Sequence, residues 1–187
     1  MGGDINMKNI EPNWLRLTEE VNAIDYLEQI SYFLDLVNTN NFAWKWVIFA
    51  FHGALYSFAI CAIKGTSKHN VTYYDKNGRE RLISFPTAIE RCQQEEYFRS
   101  RGSQYLQLST QEKESISELS DFRNDIEYYI PKGWSINVNM LPKIALDILS
   151  VIGFLVLETK NYQDYSDEQE EKIRNLMNDI KQKLEHQ

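Results

Sequence analysis

The chain has 187 residues, 43% hydrophobic and 25% charged, with a formal net charge of −7. Those figures describe one ordinary soluble globular domain with room for a real core, and they exclude a default, strongly basic nucleic-acid binder. Two cysteines, Cys61 and Cys92, provide no disulfide framework, and no CxxC or Cys/His cluster points to zinc, so no metal or cofactor is expected.

The charge is uneven. Residues 111–187 hold 9 basic against 15 acidic side chains, whereas 64–101 hold 8 against 5. If RNA binds, 64–101 is the better platform; its plainer reading is a solvated loop. The first forty residues lack the short basic-then-apolar start of a signal peptide, and with the cysteine usage this leads to a reducing, cytoplasmic expectation. Residues 9–187 are read as one domain.

In chain order, Trp14, Leu17, Val21, Ile24, Leu27, Leu34 and Val37 recur at helical spacing, which predicts a helix over 13–37 with Asn13 as its N-cap. Residues 38–41 (NTNN) break it. The stretch 42–63 is the most apolar, with only Lys45, His52 and Ser57 clearly polar. Its length approaches a membrane span, but His52 and Gly53 would fall near the midplane, where a titratable group is costly. A buried central helix ending at Lys64–Gly65 is the better reading, with no membrane partner. His52, with Tyr56 one turn on, reads as a core histidine rather than a catalyst.

Residues 71–74 and 81–85 flank Asn77-Gly78, a two-residue turn signal, so a β-hairpin insertion is expected at about 70–86. Thr87 and Glu90 form a capping box that predicts a helix over 88–98. Ser109 and Glu112 form a second box opening a helix with Ile116, Leu119, Phe122 and Ile126 on one face, stopped at Pro131. Pro142 suits a first helical turn before the apolar run 144–157. Ser166 and Gln169 cap a last, highly charged helix to about Leu184, placed outermost. The fold class is all-α: a bundle of five or six helices with one short hairpin.

The stretch 119–135 reads LSDFRNDIEYYIPKGWS. Residues four apart share a helix face, which makes Asn124 and Tyr128 neighbours. Arg123 offers a planar fork of donors suited to phosphate, and Asn124 can orient a neighbour. Tyr128, with an ordinary pKa near roughly 10, is a poor general base at neutral pH. Among Asp121, Asp125 and Glu127, Arg123 also has a plainer role as a surface ion-pair partner, worth about 0–1 kcal/mol.

This arrangement resembles the HEPN superfamily, whose motif is an Arg, often followed by Asn, and a His four to six residues later. Here the motif positions are Arg123, Asn124 and Tyr128, with Tyr where the family has His. The run IPKGWS (130–135) resembles the segment just after the motif in one small bacterial branch. The likeness covers 41–64 and 119–135 well and the rest by pattern. It implies a metal-independent ribonuclease centre at a homodimer interface, with Arg123, Asn124 and Tyr128 at the catalytic positions, in a protein of a defence or toxin–antitoxin type with RNA or a nucleotide as ligand and a cognate antitoxin as partner. Without the His, weak or absent cleavage with binding retained is expected. The alternative is a non-catalytic homodimeric interaction protein.

Overall fold

The computed structural model describes residues 14–161 and 165–187. Among these, six α-helices and one two-stranded antiparallel hairpin form an all-α bundle with a small insertion.

Helix α1 (Glu19–Leu34) starts later than its apolar spacing implies. Thr18, in extended backbone, accepts the Val21 N–H at 3.2 Å, and Glu19 and Glu20 fill the first turn, where the helix dipole favours negative charge. Trp14, Leu15 and Leu17 lie exposed outside the helix. The expected cap at Asn13 is outside the described residues.

Helix α2 (Ala43–Lys64) is the centre of the bundle and packs against α1 and three later helices. Its buried residues lie on nearly every side, from Val47 and Phe51 to Phe58 and Ile63. By length and composition, Ala43–Lys64 and Val138–Leu157 are each apolar enough to cross a membrane, yet both bury much of that surface inside the bundle. Helix α1 approaches α2 so closely at Gly53 that a Cβ there would overlap the Tyr26 ring. At its end α2 passes into Gly65 at φ +51°, as the Lys64–Gly65 signal predicts. Side chains from elsewhere satisfy its last carbonyls. Asn161, buried, donates to Ala62 O at 2.8 Å and to Tyr97 O at 2.9 Å; Asn70 donates to Ile63 O and Lys64 O.

The hairpin pairs β1 (Thr72–Tyr74) with β2 (Glu80–Leu82) in the register Thr72↔Leu82 and Tyr74↔Glu80. Its tip differs from the expected two-residue turn. Asp75 pairs with Arg79 around a three-residue loop with Gly78 at φ +73°, and Asp75 Oδ1 accepts the N–H groups of Asn77 and Arg79. The aspartate cap favours the longer loop. Buried Val71 and Ile83 anchor the hairpin to the bundle.

Helix α3 (Phe85–Cys92) begins three residues before the expected start at Ala88, because Ser84 caps it and Pro86 suits its first turn. It stops at Cys92, and a 3-10 turn covers 95–97. Helix α4 (Thr110–Glu127) opens with the predicted Ser109/Glu112 box and ends at Tyr128, three residues before Pro131. Helix α5 (Leu141–Leu157) carries Pro142 in its first turn and packs on α2 and α4. There Ser115 donates to Asp147 at 2.6 Å. Helix α6 (Asp167–Glu185), opened by the predicted Ser166/Gln169 box, lies mainly against α1 and α5, with Ile173, Ile180 and Leu184 buried.

Candidate functional site

The last two turns of α4 meet the middle of α2 and the start of α3. Between them lies a groove of about 430 Å³, lined by His52 and Tyr56 from α2, Phe85 from α3, and Ser120, Arg123 and Asn124 from α4. Tyr26 and Gly53 form part of its floor. The helix period produces this alignment: positions 120, 123 and 124 share one face of α4, and 49, 52, 53 and 56 share one face of α2.

Arg123 plays both roles open to it in the sequence. It lines the groove, and it pairs with Glu127 one turn on. Its guanidinium donates to Asn124 Oδ1 at 3.0 Å, which fixes the Asn124 amide with its N–H groups free to donate elsewhere. Neither Asp121 nor Asp125 pairs with it. The ion pair is i,i+4 and partly exposed, so it contributes little to stability.

Tyr128 is not in this groove. It is the C-cap of α4, at φ −103° and ψ 45°, with 69% exposure. It lines a separate recess with Asp125, Ile130, Lys132 and Trp134. Its backbone N–H still bonds to Asn124 O at 2.8 Å, so it sits one turn beyond Asn124, but its exposed ring lies outside the groove. Its link to Arg123 is the ring face, 5.7 Å from the guanidinium carbon.

His52 takes the place in the groove that Tyr128 leaves. Its apolar surroundings in the sequence predict a core histidine, and it is partly buried, its ring centroid 4.3 Å from that of Phe85. Yet it faces the same space as Arg123 and Asn124. No described residue hydrogen-bonds to its ring nitrogens. Burial, and then the Arg123 charge, push its pKa down from 6.5 to about 4, so the ring is neutral at neutral pH. The only available signal was His52's place on the helix crossed by α4, and one sequence does not reveal which helices cross. Tyr56 donates its hydroxyl to Ile83 O, tying the groove to the hairpin base; burial raises its pKa, and it stays protonated.

The low pKa of His52 has a sign that can be tested. The unfolded chain takes up a proton near pH 6.5 and the folded protein only near 4. Stability is therefore full above pH 6.5 and falls as pH drops toward 4. Allowing for the ring's partial exposure, the loss is about 2 kcal/mol. Urea unfolding of wild type and His52→Gln at pH 7 and pH 4.5 measures it: the variant is expected to lose less over that interval. Equal losses would refute the assignment.

Among the described residues, three of the eight basic side chains of the 64–101 segment are ion-paired. Lys64 pairs with Glu19 and Glu20, Lys68 with Glu80 and Arg81 with Asp75. Arg91 is bound to Asn70 O.

Beside the groove lies a larger, mainly apolar cleft of about 620 Å³ between the start of α2, the end of α4 and the 134–138 connector. Phe42, Trp44, Ile48, Ile126, Tyr129 and Trp134 line it. Among the described residues, no group of three or more His, Cys, Asp or Glu is arranged to hold a metal ion. No protein-family profile matches the chain, and no curated protein or solved structure does so either.

Proposed function

We propose that the chain is a HEPN-like RNA- or nucleotide-binding protein that holds a phosphate through Arg123 and Asn124. The observation that carries this reading is that these two residues open into one groove rather than onto an outer face. Both can donate to a phosphate, Arg123 as a charged fork and Asn124 as an amide. A series of rings leads away from the groove: Phe49 on its wall, then Trp46, then Phe33 and Tyr32, at centroid spacings of 6.1, 6.0 and 5.2 Å. Trp46 and Tyr32 are about half exposed, and such rings serve as stacking platforms for unpaired bases.

Cleavage by the wild type is expected to be weak or absent, because Tyr128 is a poor base and stands outside the groove. Tyr128→His restores the residue types of the family pattern but not their place, since position 128 lies outside the groove, and it is expected to leave cleavage at background. The deciding experiment is Arg123→Ala, measured by fluorescence anisotropy with a short single-stranded RNA and by thermal melting. Binding is expected to fall about tenfold or more, the loss of one charged phosphate contact, with the melting temperature nearly unchanged. A marked fall in melting temperature with RNA binding unchanged would make Arg123 a structural ion-pair residue.

The apolar cleft supports a second reading, a non-catalytic interaction protein that pairs with a second copy or with a cognate antitoxin. Phe42 is 81% exposed at its rim, and Ile130 and Tyr129 stand exposed nearby. Clustered exposed apolar side chains mark contact surfaces. Light scattering at tens of micromolar is expected to give a dimer mass; a monomer mass counts against pairing.

A further inference from the structure

We propose that the groove binds a phosphodiester together with a proton, His52 taking up the proton as the anion arrives. The inference rests on the reading of Arg123 and Asn124 as the anion-binding pair, and it concerns the charge balance of that site.

Arg123 is not a free cation. Glu127 already pairs with it, and Asn124 accepts one of its N–H groups. A phosphodiester entering beside this pair brings a net negative charge into a partly enclosed space. A second cation is then needed, or Glu127 must move away. Among the described side chains lining the groove, His52 is the only other base.

The groups facing His52 from each neighbouring element favour this exchange. From α1 comes Tyr26 and from its own helix Tyr56, both phenols. From α3 come Phe85 and Pro86, which carry no charge. From α4 come Arg123, with Glu127 behind it, and the neutral Ser120 and Asn124. Among the described residues, no carboxylate lines the groove to hold a proton on the ring in the empty state. Burial and Arg123 both disfavour the imidazolium there. A bound phosphodiester reverses the second effect: its charge offsets that of Arg123 and gives the imidazolium a direct partner. The ring nitrogens, bonded to no described residue, are free to donate to it. Binding and protonation of one site are linked, so each strengthens the other by the same factor.

The probe is a 2′-O-methyl hexauridylate without terminal phosphates, which cannot be cleaved through its 2′-oxygen and does not itself titrate between pH 5 and 8. Titration calorimetry near pH 6, in two buffers of different ionisation enthalpy, reads the protons taken up on binding by the wild-type protein. Uptake of a large fraction of one proton is expected. Affinity is expected to rise about tenfold from pH 7.5 to 5.5 if binding restores the ring to its ordinary 6.5. In His52→Gln, affinity at pH 5.5 is expected to fall about tenfold, to the level the wild type has at pH 7.5, with no uptake and a flat pH profile. Binding that depends on Arg123 but releases or takes up no proton in the wild type overturns the proposal and leaves the anion-binding reading standing. Uptake that persists unchanged in His52→Gln also overturns it. Binding that is indifferent to Arg123→Ala removes the anion-binding reading itself. The wild-type measurement decides the matter even if His52→Gln fails to fold.

Discussion

Ala59→Asp is expected to abolish folding. Ala59 is fully buried in the second half of α2, where its carbonyl also receives the Cys92 thiol from α3. A carboxylate placed there has no cation within the core formed by Phe58, Ile60 and Ile63 and their neighbours. An unpaired buried charge, together with the overpacking of a site sized for one methyl group, costs several kcal/mol, comparable to the whole stability of a domain this size. Circular dichroism and a one-dimensional NMR spectrum of the purified variant check the outcome. A cooperative melt within a few degrees of the wild type would show that this face of α2 is not a packed interior.

Gly53→Val is expected to destabilise by about 3 kcal/mol and to disturb the groove as well. The Tyr26 ring occupies the space a side chain would need, and Tyr26 is held on α1, the helix most extensively packed on α2. Both Gly53 and Tyr26 also line the groove, so the displaced ring would alter its floor. The matched control is Gly153→Ala. There the nearest atom is Met177 Cε at 2.9 Å, the mobile end of an unbranched side chain that can swing aside. Removing a glycine from the interior of α5 then stabilises by up to about 1 kcal/mol. Chemical denaturation of the two variants measures the contrast. Equal effects would mean that the close approach of α1 and α2 is not a tight packing constraint.

The helices were readable wherever pattern and cap agreed. Ser109 with Glu112 and Ser166 with Gln169 stand at the observed starts of α4 and α6, and Lys64–Gly65 marks the end of α2. Boundaries drifted where two caps competed. Ser84 prevailed over Thr87, helped by Pro86, and Thr18 lay hidden inside an apolar pattern that began before the helix. The hairpin was legible but its loop was not, because Asp75 sets the loop through backbone hydrogen bonds that Asn77-Gly78 alone does not reveal. In the groove, Arg123 and Asn124 could be named because they are adjacent on one helix. His52 lies far back along the chain on another helix, and only the crossing of α2 and α4 brings it there. Tyr128 follows Asn124 by one turn, as the helix period implies, but the period alone does not tell that its ring lies in a separate recess with Lys132 and Trp134.

The end of α2 also has a bearing on the order in which the molecule assembles. Its backbone bonds are its own, and α1, its neighbour in the chain, is the helix packed most extensively on it, so this local pair can form early. The carbonyl of Ala62 has to wait for Asn161, 99 positions further along the chain. Bringing such distant segments together is slow compared with winding a helix. The two ends of this one helix should therefore mature at different times during refolding. Pulsed hydrogen exchange would show the middle amides of α2 protected first and those near 62–65 only when α5 has docked. The buried amide of Asn161 then acts as a latch that closes late, joining the first half of the chain to the last.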